Sequence, residues 1–556
     1  MTILPFLIIT FGAGAASLLT RHNARLSAAI GILGLVAALF AARAIKADDH
    51  LVVGGAALAG SAYLRLFVIF GSIVALALVL LGLATTSHRH APGVLLGGLG
   101  ATGLALALAD PRIAVIAATA GGLLGILVTV VPPATARGVV VAARELRALA
   151  IAGVLAILAV AWIARPLGEL AGEPAVFGLA YLGFAIAVAI RFGAIPFHFW
   201  AARLADAAPE VTLPMLMAWS PAAFAVVALA WADQSVAPLV APLLLPLSVE
   251  RALVVAIGAA SVVLGTLAAW IQDDLEHVVG YTIIADAGIA ILGLAALSPA
   301  AWEPARTWLL VFVMVRSAFA AWAVAMRGAF GTRRIGDLSG WVIRAPILGV
   351  AFGLIVIAAI GWPGLVAWQA RAMLIELTLD GLLVVLVTVG ALAQVAVYGR
   401  LLMVGLGRPS EAVARGEGER PRWPVPLPKR PIVGQSGTER AFERTRHAMS
   451  GAIDVAGVVP AALRLNRVLI ASLLVLALSG LAFAVATGGL GVPRAAGAVP
   501  GQDVGPVGSE APGESVPPEE GEESAPPETE VPPSSEAPPA TEPPAASPSF
   551  QSLPSS

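Results

Sequence analysis

The sequence predicts an all-α polytopic membrane protein with about 14 transmembrane helices, arranged as two inverted repeats that each contain a broken helix. Three observations predict it. Of 556 residues, 58% are hydrophobic and only 12% charged, at a mean hydropathy of +0.88; a soluble domain carries about 25% charged residues. Apolar runs near the ~20 residues that a bilayer crossing needs recur from residue 3 to about residue 486. Two of those runs, one in each half, are interrupted by glycine and proline close to an arginine.

In order, the apolar segments are 3–20, 26–45, 63–85, 92–109, 112–132, 145–165, 174–199, 212–231, 252–271, 277–297, 306–327, 344–361, 364–405 (a half helix plus a full span) and 466–487. The first lacks a basic leading region and is followed at once by another apolar run, so it reads as a span rather than a signal peptide. The 236–249 run, "VAPLVAPLLLPLSV", is short and proline-rich and reads as interfacial. These segments divide the chain into a transmembrane core over 1–405, a cytoplasmic loop over 406–465, a final span over 466–487 and a tail over 488–556. Within the loop, 438–462 has the pattern of a basic amphipathic helix, either lying on an anionic membrane face or docking a partner. The 495–556 stretch has eleven acids and no bases, is rich in Pro, Glu and Ser, and is expected to be a disordered spacer.

Composition also excludes. Cysteine is absent, which rules out disulfides, thiolate metal sites and a cysteine nucleophile. No glycine-rich phosphate loop, no metal-ligand spacing and no nucleic-acid signature occurs. "GVLLGGLGATGLALAL" lies in an apolar run, where small residues mean close helix packing, and "HRH" at 88–90 reads as a basic loop. No cofactor, no metal and no catalytic site of its own is expected. The expected partners are the lipid bilayer and other hydrophobic subunits.

Ionisable residues inside spans are costly and therefore informative. They are Arg191, Asp286, Arg316, Arg371 and Glu376, with His198, His277 and Arg400 nearer the ends. Two stretches combine such a charge with a helix break. "RFGAIPFHFW" carries Arg191, Gly193, Pro196 and His198; "IGWPGLVAWQARAMLIE" carries Gly361, Pro363, Arg371 and Glu376. A break frees backbone carbonyls, and lipid cannot satisfy them, so it must line a wet cavity or be covered by protein. A kink used only for packing is the plainer reading of either break. Two matched breaks point to an inverted-repeat transporter with a hydrated site. Asp286 and Arg316 fall mid-span on successive helices, where they would meet as a buried ion pair, either holding the helices or relaying protons.

The stretch "RFGAIPFHFWAARLADAAPEVTLP" resembles the antiporter-like subunits of respiratory complex I, above all the N subunit of NADH:quinone oxidoreductase. "AAWIQDDLEHVVGYTIIADAGIAILG" resembles the same family's tenth helix, and "IGWPGLVAWQARAML" its twelfth. The matches occur in family order over roughly residues 1–490, and Mrp-type cation/proton antiporter subunits share the fold. The resemblance implies a proton-translocating membrane subunit of a complex-I-like assembly, in a bacterial-type plasma membrane, with no enzyme site of its own. The alternatives are a non-pumping structural or assembly subunit, or an Mrp-type antiporter subunit.

The departures matter as much. The family carries a glutamate on its fifth helix, where this chain has about Gly121. The family lysines of the seventh, eighth and twelfth helices fall at Arg191, at Ser220 or Pro221, and at Arg371; the tenth-helix histidine falls at Asp286; and the acid nearest to the family's turn aspartate is Asp206. A lysine in an apolar site can release its proton near neutrality, whereas arginine effectively cannot. Arg191 and Arg371 therefore read as fixed positive charges beside a degenerate proton path.

Orientation follows from the loop arginines. With residue 1 outside, the inner loops hold 22 basic residues and the outer loops and tail 8. A reporter fused after Arg430 is expected to be cytoplasmic and one fused after Ala495 extracytoplasmic. Finding both on one side would overturn the assignment.

Overall fold

In the computed structural model, the described residues are 2–47, 49–85, 91–127, 136–162, 174–208, 210–236, 247–411, 413 and 467–492. Residues 237–246 of the interfacial run, the 88–90 loop, the amphipathic segment over 438–462 and the acidic 495–556 tail lie outside them.

The chain starts with α1 (Leu4–Leu19) and α2 (Ala24–Arg43), the latter capped by Asn23, whose side chain accepts from the Leu26 amide at 3.3 Å. A two-stranded antiparallel hairpin follows, β1 (His50–Val53) with β2 (Ala56–Ala59), turned by Gly54 and Gly55 at φ 58° and 84°. Positive φ at both turn residues is what a tight hairpin needs. Next come α3 (Ala62–Thr85), α4 (Ala91–Ala107) and α5 (Pro111–Gly125), then α6 (Ala136–Trp162) and α7 (Pro174–Phe192). The α6 helix begins well before the expected 145, because its first turns carry exposed Arg144 and Arg147.

After the first break there is a short α8 (Ala201–Leu204), a 3₁₀ turn at Glu210–Thr212, and a π-helical turn at Met215–Trp219 that runs into α9 (Ser220–Ser235). The second half contains α10 (Ser248–Ile271), α11 (Leu275–Ala295), α12 (Trp302–Phe330), the short α13 (Trp341–Arg344) and α14 (Pro346–Ile360). Beyond the second break lie α15 (Val366–Thr378), α16 (Leu382–Leu392), α17 (Gln394–Leu406) and finally α18 (Arg467–Ala486).

Among the described residues, nine helices are long and apolar enough to cross a membrane, and five more are shorter apolar helices. The chain is a multi-pass membrane protein built almost entirely from helices. Its centre is α12, whose apolar stretch is wholly buried, with α11 beside it. The last helix, α18, returns to pack on α3, α12 and α14.

Close approach of α10 and α11 needs glycine. A side chain at Gly288 would meet the carbonyl oxygen of Gly258 and the backbone nitrogen of Val262. Gly288→Val is therefore expected to lower stability by about 1–3 kcal/mol, read as earlier thermal unfolding of the purified chain in detergent. An unchanged transition would show that the two helices are not so tightly apposed.

Candidate functional site

Both broken helices end alike. Helix α7 stops at Gly193, φ 61°, whose amide reaches the Ile190 carbonyl; α14 stops at Gly361, φ 63°, whose amide reaches the Ile357 carbonyl. Left-handed φ is cheap only for glycine, which explains both positions. The Ile195–Pro196 peptide is cis, and Pro196 is exposed. The groups freed by the first break find protein partners: Trp200 Nε1 donates to the Ile190 carbonyl at 2.9 Å, and the Ile195 amide donates to Ser261 Oγ at 3.0 Å. At the second break, Arg371 Nη2 donates to the carbonyl of Ile360. Pro363 lies in the turn between α14 and α15.

The two arginines are not equivalent. Arg191 precedes its break and points away from it. Its Nη2 donates to Ser220 Oγ at 2.8 Å and to the Ala118 carbonyl at 3.3 Å, and the guanidinium stands over the Phe224 ring at 5.3 Å. Its Nε is buried with no acceptor among the described residues. Arg191 lines a cavity of about 60 Å³ together with Gly122 and Glu145. A Cβ at Gly122 would overlap the guanidinium, so the space of a fifth-helix side chain is filled by Arg191 itself. Glu145 on α6 is 1% exposed. It is a buried carboxylate that sequence reasoning missed, because it is hidden in "ARELR" between two exposed arginines and looks like loop.

The second half holds a closed polar network inside apolar packing. Arg316, 0% exposed, donates from Nε to Asp286 Oδ2 at 2.7 Å, from Nη2 to the same oxygen and to Gln394 Oε1 at 2.8 Å, and from Nη1 to the Tyr398 hydroxyl at 2.6 Å. Gln394 Nε2 completes the ring by donating to Asp286 Oδ1 at 2.8 Å. Asp286 and Arg316 therefore meet as the sequence implied, but α17 supplies two further partners that it did not reveal. Trp308 ties Arg371 to this group. Its Nε1 donates to the Asp286 carbonyl at 3.2 Å, and the Arg371 guanidinium stands 5.9 Å from its ring centre.

One expected residue sits elsewhere, and His277 lies near a helix end as expected. Glu376 is exposed rather than enclosed in the span, because α15 is short and ends two residues later. His277 belongs to a charged cluster at one end of the helices. It lies 3.6 Å from Asp206 and 3.7 Å from Asp274, while Arg327 pairs with Glu210 and, at 3.2 Å, with Glu276. His198 stacks on Phe199 at 4.8 Å and approaches Tyr281 at 6.5 Å; its Nδ1 is buried without a partner among the described residues. A connection between the halves runs from Trp219 Nε1 to Ser317 Oγ at 2.9 Å, one residue from Arg316. Among the described residues no group of His, Asp and Glu is arranged to hold a metal ion.

Residues 149–396 match the family model described as NADH:quinone oxidoreductase/Mrp antiporter, TM. Curated relatives include NADH-quinone oxidoreductase subunit N of Halorhodospira halophila, 28% identical over 236 residues, which cover 41% of this chain and 46% of that one. The subunit N of Geobacillus kaustophilus is 29% identical over 213 residues, 38% of this chain and 42% of that one. The chain thus spans about half the length of the curated relatives it matches. Solved structures share the fold more widely. A chain of respiratory complex I from Thermus thermophilus superposes with a TM-score of 0.59 at 21% identity, covering 87% of this chain and all of that one. A chain of the Mrp complex from Dietzia sp. DQ12-45-1b gives 0.62 at 18% identity, covering 87% and 93%. The match over 149–396 agrees with the resemblance carried by the two broken stretches.

Breaking a buried pair strands a charge and costs about 3–5 kcal/mol, whereas removing both members costs less. Asp286→Asn and Arg316→Gln are each expected to destabilise the chain by that order, and the double variant to recover part of the loss. A double-mutant cycle from thermal unfolding measures the coupling. Additive losses would mean that the pair contributes no coupling.

Proposed function

We propose that this chain is a proton-translocating membrane subunit of a complex-I-like NADH:quinone oxidoreductase assembly, with a degenerate proton path. It would sit among other hydrophobic subunits in a bacterial-type plasma membrane, crossing it fourteen times with both ends outside. The 1–405 segment forms the antiporter-like core in this reading, and 466–487 the last crossing. The observation that carries the proposal is a discontinuous set of buried charges beside the two helix breaks of a family domain: Arg191 with Glu145 in the first half, and Asp286, Arg316 and Arg371 in the second. Glu145 and Asp286 are the groups able to bind and release protons. The three arginines stay charged and set the field those protons cross. His198, with its orphaned ring nitrogen, stands at the first break, and His277 at the charged end.

A second reading has its own support. The Arg316 guanidinium is held by Asp286, Gln394 and Tyr398 in a closed ring, which favours a static clasp and a non-pumping structural or assembly role. The likeness to a chain of an Mrp complex supports a cation/proton antiporter subunit instead. Proton uptake by inverted membrane vesicles carrying the whole assembly separates these. Glu145→Gln and Asp286→Asn are expected to reduce donor-driven uptake to background, the latter even combined with Arg316→Gln, where stability returns. Normal uptake in the stability-rescued double variant would assign the second half to structure alone. Normal uptake in Glu145→Gln as well would remove this chain from the proton path.

A further inference from the structure

One cavity lies apart from the space around the buried pair. It measures about 480 Å³ and lies between α15 and α16. That is the size of a small-molecule site. Its walls are mostly apolar, including Trp368, Leu379 and Val384, but three charged side chains line it: Arg371, Glu376 and Asp380.

None of the three makes an ion pair within 4 Å among the described residues. Arg371 is 4% exposed and stands over the Trp368 ring at 5.3 Å. Among the described residues its hydrogen bonding is confined to one nitrogen, which serves the Ile360 carbonyl. A guanidinium has five N–H donors, so most of them are left for whatever occupies the cavity. Glu376 and Asp380 have no cation within ion-pair distance among the described residues. The positive and negative groups are separated along the wall: Glu376 is five residues along α15 from Arg371, about 7.5 Å at 1.5 Å per residue, and Asp380 lies beyond the helix end. The complement of such a wall is a zwitterion, its anion at Arg371 and its cation at the two carboxylates. The α16 wall of the cavity is Val384, Thr388, Ala391 and Leu392, and the exposed surface of the same helix carries Leu382, Leu383, Val385 and Leu386. In a membrane protein that face meets acyl chains.

We propose that the cavity between α15 and α16 binds an amine-bearing zwitterionic phospholipid, phosphatidylethanolamine in type, with its phosphate on Arg371 and its ammonium on Glu376 and Asp380. Arginine matches phosphate geometrically with paired donors. A primary ammonium donates three hydrogen bonds to carboxylates, which a quaternary one cannot. The order along the wall agrees as well. The carboxylates stand at the end of α15, where a headgroup amine would lie, and Arg371 lies deeper, where the phosphate would. The proposal rests on the cavity and its charges alone and does not depend on proton translocation.

Native mass spectrometry of the full chain tests it, with phosphatidylethanolamine, phosphatidylcholine and phosphatidylglycerol of identical acyl chains offered at equal concentration. Phosphatidylethanolamine is expected to be retained over both others by roughly tenfold, the scale of one charge-assisted hydrogen bond. Glu376→Gln with Asp380→Asn should bring phosphatidylethanolamine down to the level of phosphatidylcholine. Val384→Phe, which fills the cavity without touching a charge, should weaken retention of phosphatidylethanolamine in a chain that stays monodisperse. Equal retention of all three lipids by the wild-type chain, or a preference unchanged in both variants, would overturn the site. Preference for phosphatidylglycerol would overturn the zwitterion, leaving an anion held by Arg371. Displacement by free phosphoethanolamine at the same concentration would overturn the lipid in favour of a soluble headgroup.

Discussion

A charged guanidinium in the middle of the most buried helix is the constraint on which the rest of the second half depends. Arg316 cannot shed its charge, and an unpaired charge at that depth would cost several kcal/mol. Neutralisation comes from one residue of α11 and hydrogen bonds from two of α17. Three helices are thereby fixed in rotation and height relative to one another. Gln394 is held by both charges: its oxygen accepts from Arg316 while its nitrogen donates to Asp286. The amide orientation follows from that arrangement, since the reverse would set donor against donor.

The two helix breaks show different solutions to one problem. Each ends on a left-handed glycine and each leaves carbonyls that lipid could not satisfy. At the first, neutral donors and acceptors on nearby segments close the gap, Trp200 and Ser261 among them. That leaves Arg191 free to turn towards Ser220 and the glycine-lined cavity. At the second, the arginine itself takes the exposed carbonyl. One arginine therefore turns away from its break, and the other satisfies the carbonyl that its break frees. Similar placement in two stretches of sequence conceals different work.

Much of this was legible from the sequence. Apolar runs located the helices, since hydropathy depends on composition over some 20 residues and tolerates errors at the ends. The breaks were legible because Gly and Pro constrain the backbone wherever they stand. Asp286 and Arg316 were legible because charges are rare in apolar runs. Gln394 and Tyr398 were not, since a neutral polar side chain barely alters hydropathy. Glu145 was masked by Arg144 and Arg147: three charges within four residues look like loop, whereas the helix buries Glu145 and leaves the two arginines exposed. Glu376 misled in the opposite sense. It stands in an apolar run, but the half helix that carries it ends two residues later, which leaves it exposed. The charged cluster at Glu210, Glu276 and Arg327 joins residues from three distant segments, and no local pattern announces such a meeting.

The Arg316 network also bears on how the chain is made. A lone arginine or aspartate at the centre of an inserting helix is penalised by about 2.5–3.5 kcal/mol. Asp286 and Arg316 lie 30 residues apart on consecutive helices joined by a short link. Delivered together as a helical hairpin, they would enter the bilayer already neutralised. Gln394 is 78 residues beyond Arg316. At synthesis rates of about 5–20 residues per second, it emerges roughly 4–16 seconds later. During that interval the pair must stand on its own Coulomb attraction, and the hairpin of α11 and α12 becomes the seed around which the later helices assemble.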